Sequence, residues 1–267
     1  MDRNGAFIEY ARILKDAEDW LTAGERREEE DITLTLPASP AQSSRKEQTE
    51  SPPRLAAPKV IKQPKNPVFA PPQLAASGGS AEELKKIAAE IQACEGCSLN
   101  LVRQNTVPGW GRAGAGIMIV TPPPPDGIAE DAQPLPGFEK DYLDKWLAAI
   151  GLNFDQDVFI TPAVKCRTPG RRPPHPEEAA ACAGYLRRQY TACAPRGVLG
   201  LGDAACGALS GNPRDFPALV GKDWHWGEIP ALILWTPAEV LANPNRLRRP
   251  VWEALQRFGK ALQGSLH

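Results

Sequence analysis

The stretch Ile117-Met118-Ile119-Val120-Thr121-Pro122-Pro123-Pro124-Pro125-Asp126-Gly127 decides how this chain is read. Four consecutive apolar residues, bounded at once by a breaker, predict a short strand buried on both faces. In open α/β sheets, ligands and chemistry collect just beyond the carboxyl ends of such strands. Here that position holds four prolines, which bring no acid, base or nucleophile and no backbone N–H to hold an anion. The expected loop is a stiff polyproline wall that closes an unused pocket.

Outward from this strand, helical and strand-like segments alternate. Helices are predicted at 81–93, 139–150, 176–192, 203–209 and 250–262, and further strands at 157–161, 197–201 and 231–235. Alternation of short apolar runs with amphipathic segments predicts an α/β domain with a mostly parallel sheet between helical layers. That domain is expected to span 81–267, ample for one core. Before it, residues 1–24 form a short amphipathic segment in which Phe7, Ile8, Tyr10, Ala11, Leu14, Ala17, Trp20 and Leu21 recur at helical spacing. It reads as a helix that docks on a partner or folds back on the main domain. Residues 25–80, with the charge run GERREEED and many Pro, Ser, Ala and Lys, predict a disordered linker, because such composition buries too little apolar surface to offset chain entropy.

The 267 residues carry a formal net charge of -1, which argues against a polyanion binder driven by bulk charge and leaves local basic patches open. No apolar run approaches the roughly 18 residues of a membrane span. The N-terminus has no apolar signal region, so a cytoplasmic, monomeric protein is expected. Six cysteines in such a chain point to metal or catalysis before disulfides. Cys94 and Cys97 form a C-x2-C pair at a helix end, and Cys166 and Cys182 follow sixteen positions apart. All-thiolate sites suit zinc or iron–sulfur clusters, and spacing alone does not choose between them. Cys193 and Cys206 read as core residues.

Three segments carry a resemblance: CEGCSLNLVRQNTVPGWG, FITPAVKCRTPGRRPPHPEEAAACAGYL and TPAEVLANP with the following RRPVWEAL. Together they resemble the family 4 uracil-DNA glycosylases over nearly all of 82–262. The resemblance implies a four-iron four-sulfur (4Fe-4S) cluster on Cys94, Cys97, Cys166 and Cys182. It also implies a three-layer α/β/α sandwich around a central, mostly parallel four-stranded sheet.

The same resemblance marks four catalytic positions, and all four are changed. Where the family has the Glu of a G-E-A-P-G loop, this chain has Pro122. Leu135, in AQPLPG, takes the place of a uracil-stacking Phe. Pro162, in ITPAVKC, replaces a uracil-reading Asn, and Thr236, in TPAEVLANP, replaces the His that donates to the departing uracil. Asp126, Glu130 and Asp131 could swing a carboxylate into the pocket, and His225 could replace the donor, although solvated acids and a packed or exposed His are the plainer readings. His175, just before a helix, looks structural.

Lys165, Arg167, Arg171 and Arg172 make a basic group in the loop between Cys166 and Cys182 and beside it, a loop that lies near the DNA backbone in the family. Arg187 and Arg188 follow, and Arg246, Arg248 and Arg249 flank the late motif. With 20 basic and 20 acidic residues from Ser80 onward, such a patch has to be local. The first expectation is a DNA-binding iron–sulfur protein with a degenerate active site, its N-terminal helix meeting a repair or replication partner. An active glycosylase with a relocated acid or altered lesion specificity, and a protein-interaction module stapled by its cluster, are the alternatives.

Overall fold

The computed structural model describes residues 80–127 and 133–264. The 1–24 segment and all of the 25–80 linker but Ser80 lie outside the described residues, as do Glu130 and Asp131. The described residues belong to one unit, Ala57–His267.

The chain enters this unit at helix α1 (Ala81–Gln92), whose first turn is capped by Ser80 accepting from the Glu83 N–H at 3.2 Å. Short strand β1 (Trp110–Gly111) precedes β2 (Ile117–Thr121), helix α2 (Gly137–Ala148), the single turn α3 (Phe154–Asp157) and β3 (Val158–Pro162). Helix α4 (Pro176–Cys193), β4 (Val198–Leu201), α5 (Gly202–Ser210) and the turn α6 (Phe216–Leu219) follow. The chain closes with β5 (Trp224–Trp226), β6 (Ile229–Leu234), α7 (Pro237–Ala242) and α8 (Pro244–Gly264).

The sheet runs β1-β3-β2-β4-β6-β5. Strands β3, β2, β4 and β6 are the expected four parallel strands. Two short antiparallel edges, β1 on β3 and β5 on β6, extend them to six. These edges are two and three residues long, too short to print a periodic signal. Edge β1 depends on Gly111, whose φ of 120° suits glycine and whose missing Cβ would lie 2.3 Å from the Val158 carbonyl oxygen.

Alternation along the parallel strands builds two cores. Ile117, Ile119, Val158, Ile160, Leu199, Leu201, Leu232 and Leu234 pack against α2, α7 and α8. Met118, Val120, Phe159, Val198, Ala231 and Ile233 face the opposite way, onto α4, α5 and β5. Helices on both faces of a mostly parallel sheet give three layers. Helix α1 is tied to α4 by Arg188, which pairs with Glu83 at 2.7 Å and with Glu90, so Arg188 clamps two helices and does not stand free for phosphate. Helix α8 begins at Pro244, well before the expected start, and carries Pro250 inside it. Arg246 and Pro250 are both exposed, so the carbonyl that a proline leaves without its helical donor faces water. Among the described residues no helix is long and apolar enough to cross a membrane.

Candidate functional site

Parallel register brings the ends of β2, β4 and β6 side by side, so the residues that follow them meet. Gly202, at φ 77°, marks the junction: a Cβ there would lie 3.1 Å from Thr236 Cγ2 and 3.5 Å from Pro122 Cγ. Beside it opens a cavity of about 350 Å³, walled by Pro122, Pro123, Pro124, Pro125, Pro134, Leu135, Pro136, Pro173 and Pro174. The proline loop therefore walls a space and does not fill it, contrary to the expectation of a closed pocket. Glu139, Arg171 and Asp203 line the same space from α2, from the loop after β3 and from α5.

Three of the four family positions, Pro122, Leu135 and Thr236, line this cavity. The fourth, Pro162, is buried at the end of β3 opposite Thr121, and its carbonyl accepts from Lys165 Nζ at 2.7 Å. Leu135 is 4 % exposed and belongs to the core beneath α2. Thr236 caps α7: its hydroxyl donates to Glu239 Oε2 at 2.9 Å, and the Glu239 N–H donates back to Thr236 Oγ1 at 3.2 Å. This capping box fixes the hydroxyl toward its own helix.

The candidate substitutes fall elsewhere. Asp126 pairs with Arg167 at 2.8 Å and does not line the cavity. His225 is exposed on edge strand β5, opposite Pro230, and does not line it either. The acidic residues that line it are Glu139 and Asp203, which sequence reasoning missed. Burial pushes the pKa of Glu139 up, the nearby Ala238 N–H and Arg171 pull it down, and Glu239 adds to the rise. The available signal was its spacing, four residues past Leu135 in the first turn of α2. Asp203, in the first turn of α5, borders the opposite side and was missed for the same reason, being a helix-start acid like many others.

Cys94, Cys97, Cys166 and Cys182 line one small hollow. Cys94 and Cys97 come from the turn after α1, Cys166 from the loop after β3 and Cys182 from α4. Donors surround the sulfurs: the Gly96 N–H reaches Cys94 Sγ at 3.4 Å and Arg103 reaches Cys166 Sγ at 3.8 Å. A hydrogen bond to Cys94 and burial push the Tyr185 hydroxyl up to about 12. Burial raises the Cys166 thiol, and pushes that of Cys182 up to about 11. Four cysteines around one hollow, two buried and two half-buried, with N–H donors to Cys94 and Cys166, suit a thiolate-bound metal centre, which supplies the positive charge that desolvated thiolates need. Among the described residues no three His, Cys, Asp or Glu side chains close to the spacing of a single bound ion. Cys193 and Cys206 lie apart in the core beneath the sheet.

The basic residues divide sharply. Lys165 is 1 % exposed; its ammonium donates to Thr161 Oγ1 at 2.7 Å, the Pro162 carbonyl and Gln189 Oε1 at 2.9 Å. Desolvation lowers its pKa to about 7. Lys165 is therefore a structural donor inside the fold and is corrected out of the phosphate-facing set. Arg172 forks onto the buried Glu178 at 2.6 and 2.8 Å, and the His175 N–H completes that carboxylate at 2.7 Å. These bonds fix the Pro173–Pro174 wall, so His175 is structural and Arg172 is largely spent. Arg171, in left-handed backbone at φ 57°, is exposed at the cavity edge. Arg248 is half-buried, and the exposed Arg249 pairs with Glu253 at 2.9 Å.

Residues 108–258 match the model of the uracil DNA glycosylase superfamily. A type-4 uracil-DNA glycosylase of Sulfurisphaera tokodaii is 34% identical over 186 residues, 66% of this chain and 84% of the relative. Its counterpart in Archaeoglobus fulgidus is 34% identical over 190 residues, 67% of this chain and 93% of the relative. The Pyrobaculum aerophilum protein of the same name is 38% identical over 170 residues, 61% and 86% of the two chains. With the three-layer fold, the four cysteines around one hollow and these matches together, the chain belongs to the uracil-DNA glycosylase superfamily, in its type-4 family.

Proposed function

We propose that this protein is a DNA-binding, iron–sulfur member of the type-4 family, tied to DNA repair, that keeps a base-sized pocket and has lost uracil excision. Excision asks for a flipped base read on its Watson–Crick edge, and for charge stabilisation of the sugar cation and the departing base. The observation that carries the reading is the cavity at the strand ends, where Pro122 and Leu135 present no polar group and the Thr236 hydroxyl is engaged by Glu239. Asp126, held by Arg167 outside the cavity, offers no simple replacement acid.

Cys94, Cys97, Cys166 and Cys182 are the residues that would hold a four-iron four-sulfur cluster. When bound, such a group supplies a covalent cross-link among the turn after α1, the loop after β3 and α4. Gly96 and Arg103 donate to the sulfurs, and the loop leading to Arg171 starts from Cys166. Arg167, Arg248 and Arg249 are the residues proposed to meet phosphates, with Arg171 beside them at the cavity edge; the counterions released at each contact make binding fall steeply with salt. The 1–24 segment, with its helical apolar spacing, is proposed to dock on a repair or replication protein.

The test pairs two assays on anaerobically purified protein whose iron and sulfide have been measured. Salt-sensitive binding to single- and double-stranded DNA, without uracil release, supports this function. Release of uracil, or binding indifferent to salt, opposes it.

A further inference from the structure

The cavity has lost the groups that read uracil, but it is not chemically blank. Its apolar walls face a space of about 350 Å³, at the lower end of ligand-pocket sizes and enough for one fused ring system. Two charged residues of opposite sign line that space, Glu139 from α2 and the exposed Arg171 from the loop after β3, close enough to act on each other electrostatically. Ala238, at the start of α7, lines the cavity with Glu139, and Thr236 is already engaged by Glu239, which leaves Glu139 as the acceptor on that side. Asp203 borders the far side, and the remaining cation, Arg172, is occupied by Glu178.

An acceptor-only carboxylate beside a donor-only guanidinium selects among the bases by elementary hydrogen-bond complementarity. Uracil presents acceptor, donor, acceptor along its Watson–Crick edge, so an ionised carboxylate meets one N–H flanked by two repelling oxygens. Guanine presents two adjacent donors, N1–H and the N2 amino group, which match the two oxygens of a carboxylate. Its O6 and N7 are the acceptors that an arginine fork fits. The proline walls supply apolar faces for the ring; among the described residues no aromatic side chain lines the cavity.

We propose that this cavity binds a guanine-type base, with Glu139 accepting from N1–H and the N2 amino group and Arg171 donating to the O6 and N7 side. The assignment rests on the reading above that the cavity descends from a base pocket, and it names the base class that the altered pocket takes.

The test uses the whole protein and three nucleosides, guanosine, inosine and uridine, titrated at millimolar concentration with binding followed by NMR. Guanosine should bind roughly tenfold tighter than inosine, which lacks the N2 amino group, and tighter still than uridine, as expected when a hydrogen bond to a charged group is lost. Glu139→Gln, whose amide offers one acceptor and one donor, should lose the guanosine preference and gain uridine. Arg171→Ala should weaken guanosine and inosine by equal factors. Equal binding of guanosine and uridine, binding of neither, or a preference unmoved by Glu139→Gln overturns the assignment. The wild-type comparison alone decides the matter if a variant fails to fold. DNA binding without a guanosine preference overturns this assignment and leaves the proposed function standing; a guanosine preference without salt-sensitive DNA binding does the reverse.

Discussion

Thr236 and Glu239 close on each other at the start of α7: the threonine hydroxyl donates to Glu239 Oε2 at 2.9 Å and accepts the Glu239 N–H at 3.2 Å. This places a helix cap where the resembling family has its histidine donor. Replacing Thr236 by Ala should therefore act on stability, lowering it by about 1 kcal/mol, the usual worth of such a cap. Thermal melting measures the change, and nucleic-acid binding at matched stability should be unaltered.

Glu139 is half-buried in the cavity, and its pKa is raised chiefly by burial. The folded protein thus favours the protonated carboxyl. The stability this gives is complete below the ordinary value of 4.5 and is lost as pH rises through the raised folded value. Melting of the wild type and of Glu139→Gln across pH 4 to 8 should show the wild type losing stability relative to the variant as pH increases. Arg171, Arg172, Glu239 and Asp203 are the other charged groups around this carboxyl, and none is changed in the comparison. A constant difference across the range would mean that the carboxyl is as well solvated folded as unfolded.

Lys165 and Arg249 should separate structure from contact. Lys165→Ala takes the donor from the buried Pro162 carbonyl, while Thr161 Oγ1 and Gln189 Oε1 keep their bond to each other at 3.0 Å, a cost of about 1–3 kcal/mol. It should not change the slope of log affinity against log salt for DNA. Arg249→Ala, which gives up only a surface pair with Glu253, should reduce that slope by about 1 while leaving the melting temperature nearly unchanged. Binding isotherms at several salt concentrations, with melts on the same samples, measure both.

Pro122→Glu alone should not produce uracil release. A carboxylate restored at the end of β2 still lacks a base-reading amide at Pro162 and a free donor at Thr236, and such groups act as a unit and not as independent increments. Appreciable release by this single variant would mean that the remaining pocket is competent.

The sequence made the parallel strands legible because their apolar runs are uninterrupted and their breakers abrupt; Ile117–Thr121 falls where the reading placed it. Edge strands escaped it for lack of length, and β1 is specified mainly by the backbone freedom of Gly111. The cysteine spacing marked residues that do line one hollow, since thiols carry their own chemical signal. Charge was the weak point. Lys165 reads as a phosphate contact from its neighbours in sequence, yet its side chain turns inward to Thr161, Pro162 and Gln189, acceptors it meets only in the fold. Glu139 was hidden for the converse reason: an acid in the first turn of a helix is ordinary, and only the approach of α7 makes it the carboxyl of the cavity.

The measurement to make first is uracil release from single- and double-stranded uracil-containing DNA under single-turnover conditions, with iron and sulfide content confirmed and DNA binding followed across salt in the same samples. No release above the protein-free control, together with binding that weakens as salt rises, is the expected result. Release by the wild type that disappears in Glu139→Ala or Asp126→Asn would contradict it, and would mean that the chemistry survived by moving its acid.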